Sequence, residues 1–98
     1  MLFALVCTDR PGSLDLRLAT RVSHVAYLET HAGKVVSAGA LLDIDGRPAG
    51  SLLVIEANDR AEAEGFAAGD PYARAGLFES TLIRPFRPLF KDGQKVGA

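Results

Sequence analysis

Residues 2–7 and 52–55 are apolar without a break, the pattern of strands covered on both faces rather than of strands with one wet side. The first run extends to residue 8 and meets Arg10-Pro11-Gly12, which is turn chemistry. Ser13 is a good N-cap, and apolar positions then recur at helical spacing to about residue 32, where Gly33 stops the run. Residues 34–42 read as a second strand, Asp45-Gly46 with Pro48 and Gly50 as a hairpin loop, and residues 51–57 as the returning third strand. Asp59, with Glu62 three positions on, has the form of a capping box for a short helix that ends near residue 68 at Gly69. Asp70-Pro71 opens a further helical turn, and residues 79–86 form the last strand.

The order β-α-β-β-α-β is the ferredoxin-like pattern, an α+β fold with a four-stranded antiparallel sheet. It places the first and third strands at the centre, which suits the two unbroken apolar runs, and the second and fourth at the edges. The fourth carries Pro85 and, just beyond, Pro88, which central strands rarely tolerate. Residues 1–90 make one domain, and the polar, glycine-bearing tail 91–98 is expected to fray. Two helices cover only one face of such a sheet. Central strands apolar on both faces need the other covered too, most simply by a second copy packed sheet to sheet, so a homodimer is expected.

Composition narrows the partners. The 98 residues carry a net charge of −1, so no global field recruits nucleic acid. One cysteine excludes an intrachain disulfide and points to a reducing cytoplasm. The N-terminal apolar run is too short to span a membrane. No Cys-x-x-Cys, phosphate-binding glycine loop or Gly-x-Ser-x-Gly occurs, and no cofactor is expected. His24 and His31 stand about 10 Å apart along a helix, too far to share a metal.

Projecting the first helix at 100° per residue puts Leu14, Leu18, Val22 and Val25 on the stripe expected to press on the sheet. Arg17, Arg21, His24, Leu28 and His31 fall on a border of that stripe, where a groove would have apolar walls and a cationic rim. His24 read alone is a partly exposed helical histidine with no role, and the arginines a solvated basic face. Asp70 read alone is an N-cap before a proline at N1. An N-capping carboxylate is also held in a fixed direction, as a residue that orients a histidine must be. Tyr72 adds a phenol nearby, or simply a packed ring. His31 suits the negative end of the helix dipole. Cys7, inside a buried strand, reads as an inert core thiol.

Arg17, Arg21 and His24 on the first helix, Gly33 and Gly39 flanking the second strand, and Asp70-Pro71-Tyr72 followed by Ala75-Gly76 together resemble the YciI-like, or YCII-related domain, family over residues 2–90. The resemblance implies a dimeric α+β barrel and an active site built on a His–Asp pair, here His24 and Asp70. Members are mostly uncharacterised; one branch is similar to enzymes that dehydrochlorinate hydroxylated aromatic rings. The wider superfamily includes muconolactone isomerases and cofactor-free monooxygenases. One departure is the second strand, often Ala-Gly-Pro in the family and Ala38-Gly39-Ala40 here.

Three readings follow. The first is a small cofactor-independent lyase or isomerase for a small oxygenated anion: His24 is general base and acid, Asp70 holds the imidazole, and Arg17, Arg21 and Tyr72 bind the substrate. The second is a ligand-binding or regulatory dimer with the same pocket and no turnover. The third is an assembly dimer whose polar stripe supports an interface. They separate on whether His24 and Asp70 meet beside a cavity.

Overall fold

Alternation along the first strand fixes what each face of the sheet can be. The computed structural model describes residues 1–97, and in it β1 (Leu2–Asp9) turns Phe3, Leu5, Cys7 and Asp9 inward, all buried. The remaining elements are α1 (Leu14–Thr30), β2 (Val35–Leu42), β3 (Pro48–Glu56), α2 (Arg60–Gly69), α3 (Pro71–Arg74) and β4 (Phe78–Phe86). The strands pair antiparallel in the order β2-β3-β1-β4, the ferredoxin-like arrangement, with the two unbroken apolar runs at the centre. Among the described residues no helix is long and apolar enough to cross a membrane.

Register lays the inward side chains in rows. Ala38, Leu53, Leu5 and Ile83 form one, and Val35, Ile55, Phe3 and Pro85 the next. These rows meet Ala63 and Phe66 of α2 and Tyr27 and Leu28 of α1 to make the core. Phe3, Leu5, Leu53 and Ile55 are each at most 2% exposed, and full burial of such a side chain contributes about 1.5–3 kcal/mol. A third row, Ala40, Ser51, Cys7 and Thr81, is small and polar. It lies toward the end of the sheet at which α1 begins.

The face that α1 presents differs from its helical-wheel reading. Leu18 and Val22 stand 55% and 81% exposed, while Arg17 is 5% exposed and His24, Tyr27 and Leu28 turn inward. The helix is rotated by roughly a quarter turn from the orientation its apolar stripe predicts. The cause is Asp9 on β1, which pairs with Arg17 and draws that side of α1 onto the sheet.

Local signals hold with small adjustments. Ser13 occupies the N-cap of α1 but its side chain makes no capping bond. Asp59 caps α2 by accepting Glu62 N–H at 2.8 Å, and Glu62 reaches back to Asn58 rather than to the cap itself. The C-terminal segment, expected to fray, instead forms a small hairpin of β5 (Phe90–Lys91) and β6 (Gln94–Lys95). Asp92 and Gly93, at φ 53° and 76°, supply the two left-handed positions of its turn, the form an Asp-Gly pair favours. Ala98, also assigned to that tail, lies outside the described residues.

The outer face of the sheet carries no helix. Leu52, Leu82 and Phe86 on it are 41%, 49% and 43% exposed, beside Leu2, Val6 and Val54. Phe90 and Val96 of the hairpin segment stand over one end, enclosing a groove of about 730 Å³ with Val36 and Phe86.

Gly50 is fixed by a close approach: a Cβ there would sit 2.5 Å from the Cys7 carbonyl oxygen. Gly50→Ala is expected to lower stability by about 1–3 kcal/mol, the range for overpacking, read by urea denaturation. Burial pushes the Cys7 thiol from its ordinary 9.0 up to about 11. The folded state therefore holds that proton more tightly than the unfolded chain. The associated stability is complete below pH 9.0 and lost as pH rises to about 11, by at most about 3 kcal/mol. Cys7→Ala should flatten the stability profile across that window.

Candidate functional site

Three short elements aim their polar groups at one place beneath α1. Asp70 is the N-cap of α3, its backbone extended at φ −62° and ψ 128°, with Pro71 at the first helical position. Its Oδ1 accepts the Tyr72 N–H at 2.9 Å, which aims the carboxylate toward α1. There the His24 Nδ1 lies 2.8 Å from Oδ1 and 3.0 Å from Oδ2. Both oxygens of one carboxylate face Nδ1, so that nitrogen is the donor, and Nε2 makes no hydrogen bond among the described residues. Both side chains are shielded, at 12% and 5% exposure.

Tyr72 organises the middle of the site. Its ring, 1% exposed, stacks on the His24 imidazole with centroids 4.0 Å apart and planes at 18°. The Arg17 guanidinium lies 4.5 Å from the same ring centroid. Burial raises the phenol above its usual range, against a smaller opposite pull from Arg17 and Arg21, with Asp70 adding to the rise. At neutral pH the tyrosine is therefore a neutral phenol.

Arg17 is committed within the protein. Its Nε donates to Asp9 Oδ2 at 2.7 Å, and Nη2 to Asp9 Oδ1 at 3.2 Å and to Ser51 Oγ at 2.7 Å. A guanidinium so matched carries little unbalanced charge. Arg21, one turn further on, is exposed and lines the cavity without a carboxylate partner among the described residues.

The cavity itself measures about 170 Å³ and is lined by Arg17, Arg21, His24, Ser51 and Tyr72, with Ala38-Gly39-Ala40 as its far wall. A dry cavity of about 150 Å³ admits benzene, so this one is of the size of a single six-membered ring. A cleft of about 240 Å³ where α1 begins, lined by Asp9, Arg10, Ser13 and Arg47, has no histidine. Among the described residues no three His, Cys, Asp or Glu side chains are grouped to hold a metal ion.

All five candidate residues from the sequence thus converge, with Arg17 facing inward to a carboxylate rather than outward to a ligand. Asp9 and Ser51 escaped the sequence reading. Their signal was parity: Asp9 continues the inward series of β1, and Ser51 that of Leu53 and Ile55 on β3. His31 bonds the Tyr27 carbonyl at 2.8 Å in the last turn of α1 and lies away from the cavity.

Known proteins resemble this chain at three levels of likeness. The YCII-related domain family model matches residues 1–87. Protein YciI of Escherichia coli is 30% identical over 98 residues, spanning 92% of this chain and all of its own length. An uncharacterized Haemophilus influenzae protein is 29% identical with the same coverage. The structure of 5-chloro-2-hydroxyhydroquinone dehydrochlorinase from Burkholderia phenoliruptrix, in complex with 2,5-dihydroxybenzoquinone, superposes with a TM-score of 0.84 at 36% identity, over 89% of this chain and 94% of that one. A NIPSNAP family protein from Agrobacterium tumefaciens, with TM-score 0.55 and 19% identity over 95% of this chain and 94% of that one, shares the fold alone. With the family model spanning most of its length and relatives covered end to end at 30% and 29% identity, this chain belongs to the YCII-related domain family.

Proposed function

We propose that this protein is a small lyase or isomerase that moves a proton on a single-ring, oxygenated, anionic substrate, with His24 as base and acid. The observation that carries the proposal is the His24 Nδ1 held by both Asp70 oxygens at 2.8 and 3.0 Å beside a ring-sized cavity. Likeness to a dehydrochlorinase seen with a dihydroxybenzoquinone supports the substrate class.

The chemistry runs through this chain's own groups. His24 Nε2 takes a proton from a carbon next to a carbonyl or from a ring hydroxyl. The released electron pair becomes an enolate or phenolate, whose oxygen Arg21 faces. Return of the proton to another atom completes an isomerisation. Where the adjacent carbon is tetrahedral, as in the keto form of a chlorinated hydroquinone, departure of chloride with its bonding pair as the enolate collapses completes a dehydrochlorination, the proton remaining on His24 until solvent takes it. Asp70 stabilises the imidazolium formed on the way and keeps Nδ1 protonated. Tyr72 fixes the imidazole plane and offers its phenol to the same substrate oxygen.

In this reading the uncovered sheet face packs against a second copy, and the protein is a cytoplasmic homodimer. Support comes from the apolar Leu52, Leu82 and Phe86 on that face and from a single buried, unpaired cysteine.

Three outcomes are expected. Chlorinated hydroquinones and catechols should turn over, and His24→Ala should lower kcat about 10²–10⁴-fold with the fold intact. Asp70→Asn should lower kcat with little change in KM; weaker binding in both variants and no turnover by wild type would instead mark a ligand-binding module. Leu52→Glu should convert a dimer to monomers in light scattering, and a wild type that is already monomeric would sink the assembly.

A further inference from the structure

Ser51 holds a hydrogen that no group among the described residues takes. The residue is 2% exposed, and its Oγ accepts from Arg17 Nη2 at 2.7 Å. A hydroxyl that accepts one bond still has one proton to give. Among the described residues no acceptor receives it, although buried polar groups are ordinarily satisfied. Ser51 lines the same cavity as His24, Arg21 and Tyr72. Register places it between Ala40 and Cys7, in the floor beneath α1.

The neighbours sharpen this donor. Arg17 is anchored by two bonds to Asp9, so its Nη2 cannot swing away from the serine. A hydroxyl whose oxygen accepts from a guanidinium is polarised and becomes a stronger donor through its own hydrogen. The cation itself is matched by Asp9. Its influence reaches a ligand as a directed O–H and not as a bare charge. Ala40 beside it presents only a methyl group, which leaves the approach to the hydroxyl open.

We propose that Ser51 is a substrate-binding residue that donates its hydrogen to the anionic oxygen of the ligand, with Arg17 as the positioning residue that orients and polarises it. Arg21 would then meet the ligand's charge from the cavity mouth, and Ser51 from the floor. The proposal rests on the reading of this cavity as the substrate site. It adds a further contact, on the sheet, to the oxygen that gains charge when His24 removes a proton, and it names the ligand class as a ring bearing an ionisable hydroxyl.

The test uses 4-nitrocatechol, a single ring whose visible absorption changes when its hydroxyl ionises. Full-length wild type, Ser51→Ala, Ser51→Thr, Arg21→Ala and His24→Ala are titrated with it across a pH series, and folding is checked by thermal melting. A hydrogen bond to a charged group sets the scale, so Ser51→Ala should bind the anion about 10- to 100-fold more weakly. The bound probe should also ionise at a higher pH in that variant than in wild type. Ser51→Thr, which keeps the hydroxyl, should restore both toward wild type. Unchanged affinity and ionisation in Ser51→Ala, with Arg21→Ala weakened, would remove Ser51 and leave the site standing. Weakening in Ser51→Ala and Ser51→Thr alike would make the loss one of packing and also overturn the donor. A wild type that fails to bind, or binding indifferent to all four substitutions, would overturn the serine and the site together.

Discussion

The buried Arg17–Asp9 pair is the constraint on which the site depends. A guanidinium at 5% exposure is tolerable only with a carboxylate in register, and β1 supplies one at its end. Removing either partner would strand the other, at a cost of about 3–5 kcal/mol, so the pair locks the rotation of α1 over the sheet. His24 lies seven positions on and therefore shares Arg17's face of the helix. Tyr72 touches both side chains, so the orientation set by one ion pair is passed to the imidazole by direct contact. Few of these groups could shift alone.

Asp70 shows how little chain such a site requires. One oxygen both caps α3 through Tyr72 N–H and bonds the imidazole, and the second oxygen adds to the grip. The plain reading of Asp-Pro as a helix start and the functional reading as an orienting carboxylate describe the same bonds. A four-residue helix would otherwise be marginal. Its packing under α1 and its place in the site support each other.

Much of this was legible in the sequence, and the exceptions share a cause. Strand order followed from where unbroken apolar runs and prolines fall, because those are properties of single segments. His24 and Asp70 could be singled out because each belongs to a recognisable local pattern, and the structure brings the two side chains together. The rotation of α1 was not, since a helical wheel treats an arginine as outward-facing and has no knowledge of Asp9 on another element. Ser51 was missed likewise: a small polar residue in a strand has no pattern of its own until its inward neighbours are known. The hairpin at Asp92-Gly93 is different: the tail was read by its polarity alone, although an Asp-Gly pair is a turn signal of its own.

The far wall of the cavity carries a consequence for the behaviour of the molecule in concentrated solution. β2 is an edge strand, and Ala38-Gly39-Ala40 must stay small for a ring to enter. Edge strands are commonly guarded by lysines, prolines or inward-facing charges, and β2 has none of these over its eight residues, VVSAGALL. β4, on the opposite edge, carries Glu79, Arg84 and Pro85. Two register irregularities, between Val35 and Ser37 and between Leu41 and Leu42, blunt the β2 edge. The small residues that open this cavity thus leave a row of backbone groups able to template a foreign strand, and colloidal stability is what this fold trades for an open pocket.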